Sequence, residues 1–105
     1  MANPGVVTMP DEDEIVRRFR TVHDNGHHAG EFYRPFARGV TGRNMTGADI
    51  ARELVEWIKQ FSTSLGQMTH QTLTLRLRRF ITALIDDETI RTDANTKLDQ
   101  LGIRQ

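Results

Sequence analysis

The stretch from Thr46 to Leu65 limits what this chain can fold into more than any other. Taking Ile50 as reference and turning about 100° per residue, Leu54, Trp57, Ile58, Phe61 and Leu65 fall within one arc, with Arg52, Glu56, Lys59 and Thr63 opposite. Such a stripe predicts an amphipathic helix of about five turns whose apolar side must be covered. Thr46 is placed to cap it, with Asp49 three residues on in a near capping-box pattern, and Gly66 is placed to stop it. The connection from Gly66 to Thr69 is short, so the next element is expected to fold back antiparallel.

That next element carries two patterns. Leu73, Leu75 and Leu77 alternate with Thr72, Thr74 and Arg76, as a strand would require, whereas Leu73, Leu77, Phe80, Ile81, Leu84 and Ile85 share one helical face. The helical pattern accounts for more residues over a longer window and is preferred. It leaves Leu75 on the polar side, near Arg79 and Thr82. The acids Asp86, Asp87 and Glu88 are unfavourable at a helix C-terminus, so this helix is expected to stop near Ile85.

On either side the pattern is weaker. Residues 1–10, with two prolines and a glycine, read as a flexible N-terminal arm, and 11–105 as a single helical domain. Asp11 caps a first helix with an acidic opening turn, in which Ile15, Val16, Phe19 and Val22 form the buried stripe and Asp24-Asn25-Gly26 the stop. Gly30, Pro35, Gly39 and Gly42 interrupt 27–45, which is expected to be loop apart from a short helical turn over 31–37 with Phe32 and Phe36 facing inward. A last helix is expected from about Asp93 to Leu101, with Ala94 and Leu98 inward. The expected fold is therefore all-α, a small four-helix domain centred on a long antiparallel helical hairpin.

Composition narrows the function classes. The chain has 105 residues, 37% hydrophobic and 7% aromatic, enough for one modest core. It has 0 cysteines, which excludes disulfides, thiolate metal sites and a cysteine nucleophile. The 14 basic and 14 acidic residues cancel, so any attraction to nucleic acid must come from local asymmetry. Such asymmetry exists: from Trp57 to Ile85 there is no acid, while Lys59, Arg76, Arg78 and Arg79 are present. Residues 1–10 lack the basic start and apolar run of a signal peptide, and no apolar run approaches the roughly 20 residues of a membrane span. The expected location is cytoplasmic, without a membrane partner, and the sequon at Asn44-Met45-Thr46 is expected to go unused.

Three groups of residues could carry function. His23, His27 and His28, near Asp24 and Glu31, have the chemistry of zinc ligands, but Gly26 breaks the helical spacing between them, and neither a metal nor another cofactor is expected. Arg76, Arg78 and Arg79 form a basic face on the third predicted helix; with Arg34, Arg38 and Arg43 they could track phosphates. Phe32, Tyr33 and Phe36, interleaved with arginine, suit interface anchors or single-strand stacking as well as an apolar plug at one end of the hairpin. No phosphate-binding glycine loop, nucleophile elbow or paired-histidine protease motif is present, and the carboxylates cluster at helix ends. The expected function is a non-enzymatic protein–protein interaction or adaptor module, self-associating through surplus apolar faces and using Phe32, Tyr33, Phe36 and Leu75. The alternative is a small nucleic-acid-binding regulator built on the six arginines.

Overall fold

A computed structural model describes residues 5–22, 29–60 and 70–101, with the side chains of 29–32 and 70–73 outside the description. Among these residues the chain is mostly helical, with five helices and a two-stranded sheet: β1 (Val6–Thr8), α1 (Glu12–Val22), α2 (Ala29–Val40), β2 (Asn44–Thr46), α3 (Gly47–Gln60), α4 (His70–Leu84) and α5 (Glu88–Leu101). The expected count of four helices is corrected to five, because α2 is a full element where loop was expected.

Helix α2 runs through Pro35. An interior proline costs about 3 kcal/mol through the lost backbone bond and the ring clash. Tyr33, Phe36, Ala37 and Val40 are all buried on one side of α2, and each large apolar side chain contributes about 1.5–3 kcal/mol on burial. Burial outweighs the proline. The helix ends where Gly42 adopts a φ of 74°, a left-handed conformation that glycine takes without a Cβ penalty.

The part of the expected arm that is described is tied into the fold. Val6, Val7 and Thr8 pair antiparallel with Thr46, Met45 and Asn44. The Met9 amide donates to the Arg43 carbonyl at 2.8 Å, and Met9 is buried. Three consecutive β-branched residues favour an extended backbone, but a strand this short shows no readable period.

The two predicted N-caps are formed. The Glu14 amide donates to Asp11 Oδ1 at 2.8 Å. At α3 the Asp49 amide donates to Thr46 Oγ1 at 3.0 Å and the Thr46 amide to Asp49 Oδ2 at 3.3 Å, a reciprocal capping box. Asp87 explains the acid cluster after α4: the Ile90 amide donates to Asp87 Oδ1 at 3.0 Å. These acids open α5 rather than close α4, so α5 begins earlier than expected and its first turn has the charge that the dipole favours. Segment 70–84 is helical throughout, as length had argued.

The apolar arc of α3 is covered chiefly by α5, while α1 packs on α2 and α4. Among the described residues the expected α3–α4 hairpin is thus not the main pairing, and α3 and α4 make a minor contact. Phe61, Leu65 and the 66–69 connection lie outside the described residues. A close approach explains the α3–α5 pair. There is no room for a Cβ on Gly47, which would run into the Ile90 carbonyl oxygen and lie 2.8 Å from the Ala94 nitrogen. Beside it, the Ala48 amide donates to Asp93 Oδ2 at 3.1 Å, so α5 supplies a carboxylate to the N-terminus of α3. Gly47→Ala should force these backbones apart and lower stability by about 1–3 kcal/mol in urea unfolding; an unchanged midpoint would contradict the close crossing.

Candidate interaction surface

Helix α4 carries two stripes with the same spacing. Leu77, Phe80, Ile81 and Leu84 face inward and are buried. Leu75, Arg78, Arg79 and Thr82 repeat that spacing two residues earlier, about 200° around the helix, and all four are exposed. Leu75 is 52% exposed; Leu101, at the end of α5, is the other exposed large apolar side chain among the described residues.

Beside this outer stripe lies a hollow of about 440 Å³ lined by Thr21 and Val22 of α1 and Arg78, Arg79, Thr82 and Ala83 of α4. Its two threonine hydroxyls donate to their own helices. Thr21 Oγ1 donates to the Arg18 carbonyl at 2.6 Å, and Thr82 Oγ1 donates to the Arg78 carbonyl at 3.1 Å. With Val22 and Ala83 they leave a largely apolar floor beneath two guanidinium groups.

The six arginines singled out by sequence do not act as one surface. Arg34 donates to Asp13 Oδ1 at 3.1 Å and also to Glu12; Arg38 Nε donates to Glu12 Oε1 at 3.2 Å. Hydrogen bonds to Asp13 and then Glu12 raise the Arg34 pKa above its ordinary value. Arg43 donates to the Gly39 carbonyl at 2.9 Å and lies 3.6 Å from Glu53. Arg78 pairs with Asp99 of α5. Arg76 and Arg79 have no ion-pair partner among the described residues. The acidic opening turn of α1, which sequence reasoning had assigned to the helix dipole alone, takes up the charge of α2.

The aromatic candidates are also redistributed. Tyr33 and Phe36 are core residues rather than surface anchors, with ring centroids 5.5 and 5.4 Å from Phe19. Three residues apart on a helix, both lie on its inner side; Phe36 is inward as the short turn over 31–37 predicts, whereas Tyr33 joins it only because the helix extends through that turn. The Phe32 side chain lies outside the described residues, as do His23, His27, His28 and the His70 side chain. Among the described residues no cluster of three or more histidine or acidic side chains could hold a metal ion. Thr21 and Val22 were missed as surface contributors. Only their position at the end of α1 signalled them, and which helix end would lie beside α4 was not readable.

A second hollow of about 430 Å³ is lined by Asp13, Val16, Arg17, Arg20, Thr21 and Arg34. Arg17 and Arg34 are already paired there, with Glu14 and with Glu12 and Asp13, and the Asp13 carboxylate opposes an incoming anion. No protein-family model, curated protein or solved structure matches this chain.

Glu14 gives this region a pH dependence. Hydrogen bonds from Arg17 (Nε to Oε1, 2.9 Å) and then Arg18 (2.8 Å) hold its carboxyl at about 2, below the usual 4.5. A lowered carboxyl pKa stabilises the fold above the unfolded value, and that contribution is lost as pH falls toward the folded value. Acid titration of stability should therefore show a loss between about pH 4.5 and 2 that is smaller in Glu14→Gln, read from urea midpoints. Identical pH profiles would remove the Glu14 clasp from the account.

Proposed function

We propose that this chain is a non-enzymatic protein–protein interaction module whose binding face is the outer stripe of α4. The observation that carries the reading is Leu75. It is a large apolar side chain left half-exposed on a helix whose other described leucines, Leu77 and Leu84, are in the core. It sits one turn from Arg78 and Arg79, and arginine is enriched at interface centres. The hollow lined by Arg78, Arg79 and Thr82 of the same stripe offers the concavity that an anchor residue needs.

Self-association is the narrower form of this reading. The described members of the apolar arcs of α3 and α4, Ile50, Leu54, Trp57, Ile58, Leu77, Phe80 and Ile81, are all buried within the monomer. What supports a homodimer is reduced to Leu75 and Leu101.

The test is photocrosslinking from position 75, with position 56 on the exposed side of α3 as control, in extract of the source cells. A defined adduct from 75 and none from 56 is expected; equal labelling from both would remove α4 as the binding face.

A second reading, nucleic-acid binding, draws support from one observation: Arg76 and Arg79 of the same helix have no ion-pair partner among the described residues. Two or three arginines neutralise few phosphates, so binding should fade steeply with salt. If this reading holds, Arg76→Glu with Arg79→Glu should abolish retention on heparin and mobility shifts with DNA or RNA. Unchanged retention would end it.

A further inference from the structure

The geometry points to the hollow between α1 and α4 as a docking subsite for an acidic, leucine-bearing peptide segment of a partner protein. Its apolar side chain would occupy the floor and its carboxylate would pair with Arg79. This inference rests on the reading of α4 as an interaction face and adds the chemistry of the partner.

Three features define that chemistry. First, the floor is largely apolar. Thr21 and Thr82 donate their hydroxyl protons to backbone carbonyls of their own helices, and Val22 and Ala83 add only hydrocarbon. A volume of about 440 Å³ lies within the roughly 300–1,000 Å³ of sites that accept small ligands. Second, the two cations at the rim differ. Arg78 is held by Asp99, whereas Arg79 has no anion among the described residues. A carboxylate arriving at Arg79 meets an uncommitted guanidinium with planar, two-pronged donor geometry. Third, no acid lies anywhere from Trp57 to Ile85, so α4 supplies no internal competitor for that charge. The stripe from Leu75 through Arg79 to Thr82 spans about 10 Å along the helix axis. That length suits a segment presenting an apolar, an acidic and a second apolar group in turn.

Nucleic acid fits this site less well. A phosphate would find one uncommitted guanidinium at the rim, and the apolar floor would go unused by a backbone of charged oxygens.

The probes are fluorescein-labelled short amphipathic peptides of leucine and glutamate, with matched versions in which glutamine or lysine replaces glutamate, or serine replaces leucine. A single-stranded oligonucleotide serves as the competing class. Anisotropy measures affinity, and amide chemical shifts locate it. The Leu/Glu peptide should bind tightest and shift the amides of 75–83 together with Thr21 and Val22. Arg79→Glu should weaken it about tenfold, as loss of a charge-assisted hydrogen bond does. Lys59→Glu, the same charge change on the exposed side of α3, should leave it unchanged. Ala83→Leu, which fills the floor, should weaken the Leu/Glu peptide while circular dichroism stays that of the parent.

Equal binding of the glutamate and glutamine peptides overturns the proposal, as does indifference to Arg79→Glu or Ala83→Leu. An oligonucleotide that shifts these amides more strongly than the Leu/Glu peptide overturns it in favour of the nucleic-acid reading. If crosslinks from position 75 persist while Arg79→Glu and Ala83→Leu have no effect, the partner chemistry is wrong and the interaction module stands. If the position-75 adducts are also absent, both fall.

Discussion

The contact of Phe19 with four other rings holds this molecule together. From α1 its ring reaches Tyr33 and Phe36 of α2, Trp57 of α3 and Phe80 of α4, with centroid separations from 4.4 Å (Phe80) to 6.2 Å (Trp57). Aromatic rings bury large areas and add about 0.5–1.5 kcal/mol per well-oriented pair. Because each helix contributes through a different ring, none of the four can rotate about its axis without leaving a void. Phe19 is itself fully buried, so this point of contact is dry.

The orientation of α4 follows from that constraint. Once Phe80 is seated against Phe19, Leu77, Ile81 and Leu84 must face inward, and the residues about 200° away must face out. Leu75 is therefore exposed by geometry. Its hydrophobicity is not a packing error that the helix could correct by turning, since turning would expose Phe80. The hollow beside it has the same origin. Its α1 wall, Thr21 and Val22, lies two and three residues after Phe19 on the same helix, so it sits where Phe19 anchors it.

Electrostatics act one level down, deciding which charges are left over. Glu12 and Asp13 take up Arg34 and Arg38, Glu14 takes up Arg17 and Arg18, and Asp99 takes up Arg78. These are partly exposed pairs, each contributing little to stability, about 0–1 kcal/mol. Their larger consequence is subtraction. With Arg43 beside Glu53 as well, they leave, among the described residues, Arg76 and Arg79 of the six candidate arginines, both on the helix that also presents Leu75. A site that seemed spread over two segments contracts to one face.

Much of the helical plan was legible because it depends on local periodicity and capping. The stripe of α3, the caps at Asp11 and Thr46, and the inward face of α4 are statements about neighbours three or four residues apart. Helix α2 was not legible, because Pro35 and the glycines speak locally against a helix and only distant burial of Tyr33 and Phe36 overrides them. Strands β1 and β2 were not legible either, since each is three residues long and needs the other, across α1 and α2, to satisfy its backbone. Of the candidate site, the exposure of Leu75 and the basic run of α4 could be read from spacing. The removal of Arg34, Arg38, Arg43 and Arg78 from the unpaired set could not. What the sequence determined by itself was which face of each long helix is apolar. What only the tertiary structure decided was which faces meet, that α5 rather than α4 covers most of α3, and which charges remain unpaired. These outcomes depend on distances between residues far apart in the chain, such as Gly47 against Ile90, and no local pattern encodes them.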